Sequence, residues 1–242
     1  MTLKDKNVLI TGAAVRVGKA MALAAAQAGS HVVLHYGHSH KEAEETQREI
    51  EDLGGRASLL QGDLSKLAKV AEIITQAEEI GPLFAIVNSA AIFEDLQLDN
   101  TDLADWQNHL DVNLTAPFLL SQAFARAVQS REAEGRIVNI LDWRALRPRV
   151  DHLPYTISKA ALAALTQSLA EALAPKITVN AMALGAILPP ADGGTPDGVL
   201  DQVPARRWAR LEEVAETLLF LLQGPSYITG EIIYLDGGRH LI

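Results

Sequence analysis

The chain has 242 residues, no cysteine and a formal net charge of −9 at pH 7. That length suits a single large domain spanning 1–242, able to bury about three quarters of its unfolded surface without covalent staples. The missing cysteines exclude disulfides, thiolate metal sites and a cysteine nucleophile. An acidic chain repels phosphate backbones, so no nucleic-acid partner is expected.

Asn7–Thr11 is a short β-branched run ending at Gly12, and Val15–Ala28 carries Ala, Leu and Met at helical spacing up to Gly29. The alternation then repeats. Strands are predicted at His31–Leu34, Ala57–Leu60, Leu83–Asn88, Arg136–Leu141, Ile177–Ala181 and Glu231–Leu235. Helices are predicted at Lys41–Leu53, Lys66–Glu79, Asp102–Gln129, Tyr155–Leu173 and Glu212–Leu222. Short apolar strands alternating with helices imply a parallel sheet covered on both faces, with a doubly wound α/β arrangement as the leading topology. Leu184–Val203 breaks the rhythm with Pro, Gly and Asp and reads as a functional loop, a lid around 184–209. Met1–Asn7 is polar and no apolar stretch reaches about 18 residues, so neither a signal peptide nor a membrane span is expected; the expectation is a cytoplasmic protein.

The first strand–turn–helix holds Thr11-Gly12-Ala13-Ala14-Val15-Arg16-Val17-Gly18. A turn of this kind aims unpaired N–H groups and the positive helix end at an anion. Gly12 would let the backbone approach a pyrophosphate and Gly18 would permit close helix packing, although an ordinary βα turn has the same look. The second strand ends in His35-Tyr36-Gly37-His38-Ser39-His40-Lys41. In a dinucleotide site an acidic residue there would bond the ribose 2′-hydroxyl of NAD. None occurs before Glu42, and with Arg16 nearby the segment favours a 2′-phosphate and hence NADPH. The alternative is a solvated polar loop. No metal site is expected, because the histidines have neither a cysteine nor a carboxylate pair beside them. Asp63 could accept from an adenine amino group while the Leu64 N–H donates to the ring; Asp63 could equally cap a helix. Asn88 and Ala90 end the fourth strand with residues small enough to admit a flat ligand.

Tyr155 and Lys159 stand at i and i+4, one helical turn apart on one face. A phenol with a pKa near 10 is a poor proton donor or acceptor at neutral pH, and a nearby ammonium is expected to lower it. Asp142 lies thirteen residues before Tyr155, just past a strand, where ligands bind in open α/β sheets. In an apolar pocket it could stay protonated and donate; alternatively it is a cap, or an ion-pair partner of Arg144 or Arg147. Asn113, in mid-helix, could hold a water near Lys159.

Taken together, these motifs resemble the short-chain dehydrogenase/reductase superfamily over essentially the whole chain. The residues that carry the resemblance are the Thr11-Gly12 start, Asp63, Asn88 with Ala90, Asn113, Tyr155 with Lys159, Val179-Asn180-Ala181 and Leu235-Asp236-Gly237-Gly238. Arg16, His35-Tyr36, Phe93, Asp142 and the ending Arg239-His240-Leu241 are similar to the pteridine reductase and dihydromonapterin reductase-like branch. The resemblance implies a Rossmann-type sheet of about seven strands in the order 3-2-1-4-5-6-7. It implies NADPH held by Gly12, Arg16, Val17, Gly18, His35, Tyr36, His38, Ser39, Asp63, Leu64, Asn88, Ala90, Lys159, Gly185 and Ile187. A pterin would stack between Phe93 and the nicotinamide, contacted by Arg16, Asp142 and Tyr155, in a homotetramer. The sequence departs from that branch at Ala91, where a Ser often stands, at His38, where an Arg can stand, and at Leu184, where a Pro is usual. The competing readings are a carbonyl or 3-oxoacyl reductase of the same superfamily and a non-catalytic, nucleotide-binding regulatory protein.

Overall fold

The structure, a computed structural model, describes residues 2–189 and 198–242. Seven strands form one parallel sheet: β1 (Asn7–Ile10), β2 (His31–Tyr36), β3 (Arg56–Gln61), β4 (Leu83–Asn88), β5 (Gly135–Asp142), β6 (Ile177–Leu184) and β7 (Ile232–Leu235). Their order is β3-β2-β1-β4-β5-β6-β7, and every neighbouring pair is parallel. The order reverses direction beside β1, opening the crevice where such sheets bind ligands.

Residue parity assigns the two faces, since successive side chains leave a strand on opposite sides. Val8, Ile10, Val32 and Leu34 pack with Met21 and Ala22 of α1 (Arg16–Gln27), Ala43 of α2 (His40–Asp52) and Leu218 of α7 (Leu211–Gln223). Leu9, Val33, Ile86 and Ile137 pack on the other face with Ile73 of α3 (Leu67–Ile80) and Leu120 and Phe124 of α5 (Ala116–Ser130). Both faces are dry, which is why the strands read as apolar runs rather than alternating ones.

Three expectations are corrected. The helix predicted over Asp102–Gln129 is α4 (Leu103–Leu110), one π-helical turn at Asp111–Thr115, then α5. π-turns insert a residue into the helical ladder and often mark functional sites. Strands run further than read: β2 reaches Tyr36, β5 ends on Asp142 itself and β6 includes Leu184, so the lid starts at Gly185. The helix α6 (Leu153–Leu173) starts two residues early, because Pro154 fits the first helical turn. Of the expected lid, residues 190–197 lie outside the described residues; the part after them forms a 3₁₀ turn at Leu200–Gln202.

Candidate active site

The carboxyl ends of β1, β4, β5 and β6 meet along one edge, and the sequence places small or polar residues there. Thr11 ties two of these ends together: its Oγ1 accepts from the Ser89 and Ala90 N–H groups at 2.9 and 3.0 Å. Gly12 follows with φ +65°, and a Cβ there would stand 2.9 Å from the Ala90 Cα. A Cβ on Gly18 would stand 2.0 Å from the Gly12 carbonyl oxygen. Both positions therefore exclude a side chain, which leaves the turn and the N-terminus of α1 open to an anion. Arg16 extends outward with φ +53° and donates from Nη2 to the Pro189 carbonyl at 3.2 Å, joining this turn to the start of the lid.

The residues expected to meet a cofactor divide. Val17 packs at the edge of the core, and the Leu64 and Ile187 side chains are buried, so they offer backbone groups. The His35 imidazole is not in the cleft. It is 1 % exposed, shares the strand face of Val33, and makes no side-chain hydrogen bond among the described residues. Burial lowers its pKa to about 4. Gly62 packs close above the ring: a Cβ there would stand 3.0 Å from its Nε2. Tyr36 bonds the His40 Nδ1 at 2.7 Å, and the His40 Nε2 pairs with Glu44 at 3.3 Å. His38, Ser39 and Lys41 remain at the exposed start of α2, and His38 is close enough to Asp63 to favour its carboxylate. Asp63 accepts from the Ser65 N–H at 2.9 Å and Ser65 Oγ at 2.7 Å, and those bonds hold its carboxyl below the usual range. Asn88 donates to Asn139 at 2.8 Å, while its buried Oδ1 has no partner among the described residues.

Asp142, Tyr155 and Lys159 come together. The Tyr155 hydroxyl donates to Asp142 Oδ2 at 3.4 Å. The Asp142 Oδ1 accepts from the Arg144 N–H at 2.8 Å and from its Nη1 at 3.4 Å, so both readings of Asp142 hold: it caps a 3₁₀ turn and pairs with Arg144. Burial nonetheless outweighs the guanidinium and raises the carboxyl above its ordinary value. Lys159 is buried and donates from Nζ to the Ile140 carbonyl at 2.7 Å; burial lowers its pKa to about 8. The phenol moves opposite to expectation. Burial first, then the Asp142 charge, push the Tyr155 pKa up, while the neighbouring ammonium is held on the Ile140 carbonyl.

Asn113 is also reassigned. Its side chain is wholly occupied: Oδ1 accepts from the Ile92 N–H at 2.9 Å, and Nδ2 donates to the Ile92 carbonyl at 3.0 Å and Ser158 Oγ at 3.1 Å. It clamps the loop after β4 to α6 and positions Phe93, the next residue. The Phe93 ring meets Tyr155 edge-on at 4.7 Å and stacks on His152 at 4.0 Å. His152 and Ser158 were not singled out from the sequence, and Arg144 was named only as a possible partner of Asp142. The one available hint was that His152 precedes Tyr155 by three residues, the helical spacing that shares a face.

A cavity of about 290 Å³ opens under the end of β7, lined by Ala186, Val203, Arg207, Tyr234, Asp236 and His240 among others. Its charges are internally matched. Arg207 bonds Glu213 twice, at 2.8 and 2.6 Å, and His240 bonds Asp236 at 2.8 Å. Asp142 and Tyr155 are not among the residues that line it. Among the described residues no group of three or more His, Cys, Asp or Glu side chains is placed to hold a metal, and no helix is long and apolar enough to cross a membrane.

The family model of the enoyl-(acyl carrier protein) reductases matches residues 12–240. A 3-oxoacyl-[acyl-carrier-protein] reductase of Synechocystis sp. is 34 % identical over 235 residues, 95 % of each chain. The crystal structure of FolM Alternative dihydrofolate reductase 1 from Brucella canis, complexed with NADP, superposes with a TM-score of 0.92 at 36 % identity, covering 100 % of this chain and 96 % of that one. A Serratia marcescens short-chain dehydrogenase/reductase mutant superposes with a TM-score of 0.92 at 28 % identity, covering 99 % and 100 %.

Proposed function

The chain belongs to the short-chain dehydrogenase/reductase family of oxidoreductases, and from that premise we propose that it is an NADPH-dependent reductase of a dihydropterin-type ring. The observation that carries this reading is the Asp142–Tyr155 pair, with Phe93 edge-on to the phenol. An aromatic face suits a flat heterocycle. A carboxyl raised by burial can accept from a ring N–H or, protonated, donate to a ring nitrogen. The Brucella canis likeness supports the same substrate class.

The residues fit a dinucleotide. Gly12, Val17 and Gly18 present a bare backbone and a helix N-terminus to a pyrophosphate, with Arg16 beside it. His38, Ser39 and Lys41 surround the start of α2, where a 2′-phosphate would be held. Asp63 and Leu64 would face an adenine, Asn88 offers an Oδ1 without a partner among the described residues, and Ala90 leaves room. Lys159 would hold the nicotinamide ribose, and Gly185 and Ile187 would line the carboxamide. NADPH supplies the hydride when bound. Tyr155, kept protonated by its raised pKa, delivers the proton to the ring nitrogen next to the reduced carbon, so a C=N bond becomes CH–NH. Asp142 orients the phenol and the ring edge, while Lys159 keeps a positive charge behind the phenol. The outer face of α6, with Ala164 and Ala172 exposed, is the contact we assign to a homotetramer.

The second reading is a 3-oxoacyl or other carbonyl reductase, favoured by the Synechocystis relative. Following NADPH oxidation with dihydrobiopterin, dihydromonapterin, dihydrofolate and a 3-oxoacyl thioester separates the two. Pterin turnover that falls by about 10²–10⁴ in Tyr155→Phe and collapses in Asp142→Ala supports the proposal. Turnover of the thioester alone refutes it.

A further inference from the structure

Beside Asp142 the acidic chain becomes basic. Arg144, Arg147 and Arg149 follow β5 within seven residues, and the C-terminal segment brings Arg239 onto the same wall. Two of them flank the Trp143 ring: the Arg239 guanidinium carbon lies 4.3 Å from its centre and that of Arg144 5.0 Å. The nearby carboxylates are already engaged. Asp142 and Asp151 both bond Arg144, and Asp236 accepts from Gly238 and His240.

Among the described residues, the other three arginines form no ion pair. Arg147 donates to the His240 carbonyl at 2.9 Å and Arg239 to Gln202 Oε1 at 3.1 Å, both neutral. Arg149 is exposed, and among the described residues it makes neither a hydrogen bond nor an ion pair. Burial, then the charge of Arg144, lower the Arg239 pKa; Asp142 and Asp151 oppose this and Arg149 adds to it. Like charges held together without counterions cost stability, and planar guanidiniums suit bidentate recognition of carboxylate or phosphate. The cluster is also clear of the expected cofactor phosphates, because β5 is separated from β1 by β4.

We propose that Arg147, Arg149 and Arg239 form a receptor for an anionic tail, carboxylate or phosphate, carried by the ring substrate whose reacting end meets Asp142 and Tyr155. This rests on the ring-reductase reading. The ring lies against Phe93, and the tail extends toward the arginines. Arg239 also holds the lid through Gln202, so tail binding and lid position share one side chain.

The test has two arms. In the first, kcat/KM is measured for dihydrofolate, with its two carboxylates, for dihydroneopterin monophosphate and for uncharged dihydrobiopterin, at low and high salt, in wild type, Arg149→Ala and Arg149→Glu. Loss of tenfold or more for the charged substrates, within twofold of the loss for dihydrobiopterin in neither variant, is expected, with a steep salt dependence for the charged pair alone. A preference between carboxylate and phosphate identifies the source of the charge. Equal losses for charged and neutral substrates, or no salt dependence, overturn the proposal. In the second arm, p-aminobenzoylglutamate, a tail without a pterin ring, is titrated into the NADP⁺-loaded protein. Binding that weakens at least tenfold in Arg149→Glu supports the receptor even if no pterin is turned over, a result that would sink only the ring-reductase reading. No binding of the fragment, with charged and neutral pterins turned over alike, removes the receptor and leaves that reading standing.

Discussion

Replacing Asp142 by Asn tests how the buried charges depend on one another. The change keeps the shape and leaves an acceptor for the Arg144 N–H, but removes the carboxylate that favours the Lys159 ammonium. Holding that ammonium dry lowers its pKa from 10.5 to about 8, which corresponds to about 3 kcal/mol. The Asp142 charge is what opposes the fall. Without it the Lys159 midpoint drops by about one pH unit or more. At pH 7 a group with a midpoint near 8 is about 90 % protonated, and one near 7 about half. The variant is therefore expected to lose activity as pH rises past about 7, where wild type holds until about 8. The Tyr155 pKa moves down as well, since Asp142 is one of the groups raising it. NMR titration of ¹³C-labelled lysine in the free protein reads the first shift directly, and the basic limb of kcat/KM reads its consequence. A Lys159 midpoint that stays put or rises in Asp142→Asn would refute this account of the site.

Three further outcomes are expected. Gly18→Ala places a methyl group where the Gly12 carbonyl stands, so NADPH affinity by fluorescence titration should fall at least tenfold; wild-type affinity would show that the turn does not cradle the pyrophosphate. Asn113→Ala removes three hydrogen bonds, one buried and two part-buried, and strands both polar groups of Ile92, which should cost about 2–4 kcal/mol in urea unfolding. The His35 pKa is about 4 in the fold against 6.5 ordinarily. Between those values the unfolded chain binds the proton that the fold refuses, so stability falls as pH drops from 6.5 towards 4. His35→Leu should flatten that decline by up to about 3 kcal/mol, and an unchanged acid slope in the variant would refute the burial argument.

Local information made the sheet legible. Apolar runs bounded by Gly and polar residues mark strands buried on both faces, and the Tyr155/Lys159 spacing fixes a shared helical face. The same logic was available for His35 and points inward: it has the parity of Val33, and no face of a doubly covered sheet is polar. The π-turn was not legible. It carries Asn113, whose partners Ile92 and Ser158 lie 21 and 45 residues away. Periodicity within the helix carries no trace of either. The pairing of Arg239 with Trp143 is equally nonlocal, brought about by the sheet register that sets Asp142 beside Leu184 and Leu184 beside Leu235.

The setting of Asp142 also bears on which bond the enzyme reduces. A ketone becomes an alkoxide as hydride arrives, and stabilising it requires neutral or cationic donors at the oxygen. An ionised Asp142 would oppose that charge from the position of the phenol's own hydrogen-bond partner. A protonated ring nitrogen develops no such anion. It needs a proton from one side and an acceptor for a ring N–H on the other, and the Tyr155–Asp142 pair can provide both. Arg144 fits the same scheme: bonded to Asp142 and Asp151 together, it neutralises part of the carboxylate charge while fixing its direction. Losing Arg144 should therefore harm ring reduction by disordering Asp142, whereas a ketone reductase built on the same residues would lose a helpful cation near its oxygen. The two enzymes would respond oppositely to a second change. Asp142→Asn in an Arg144→Ala background should partly restore carbonyl reduction, by removing a carboxylate left without its partner, and should leave ring reduction as poor as before.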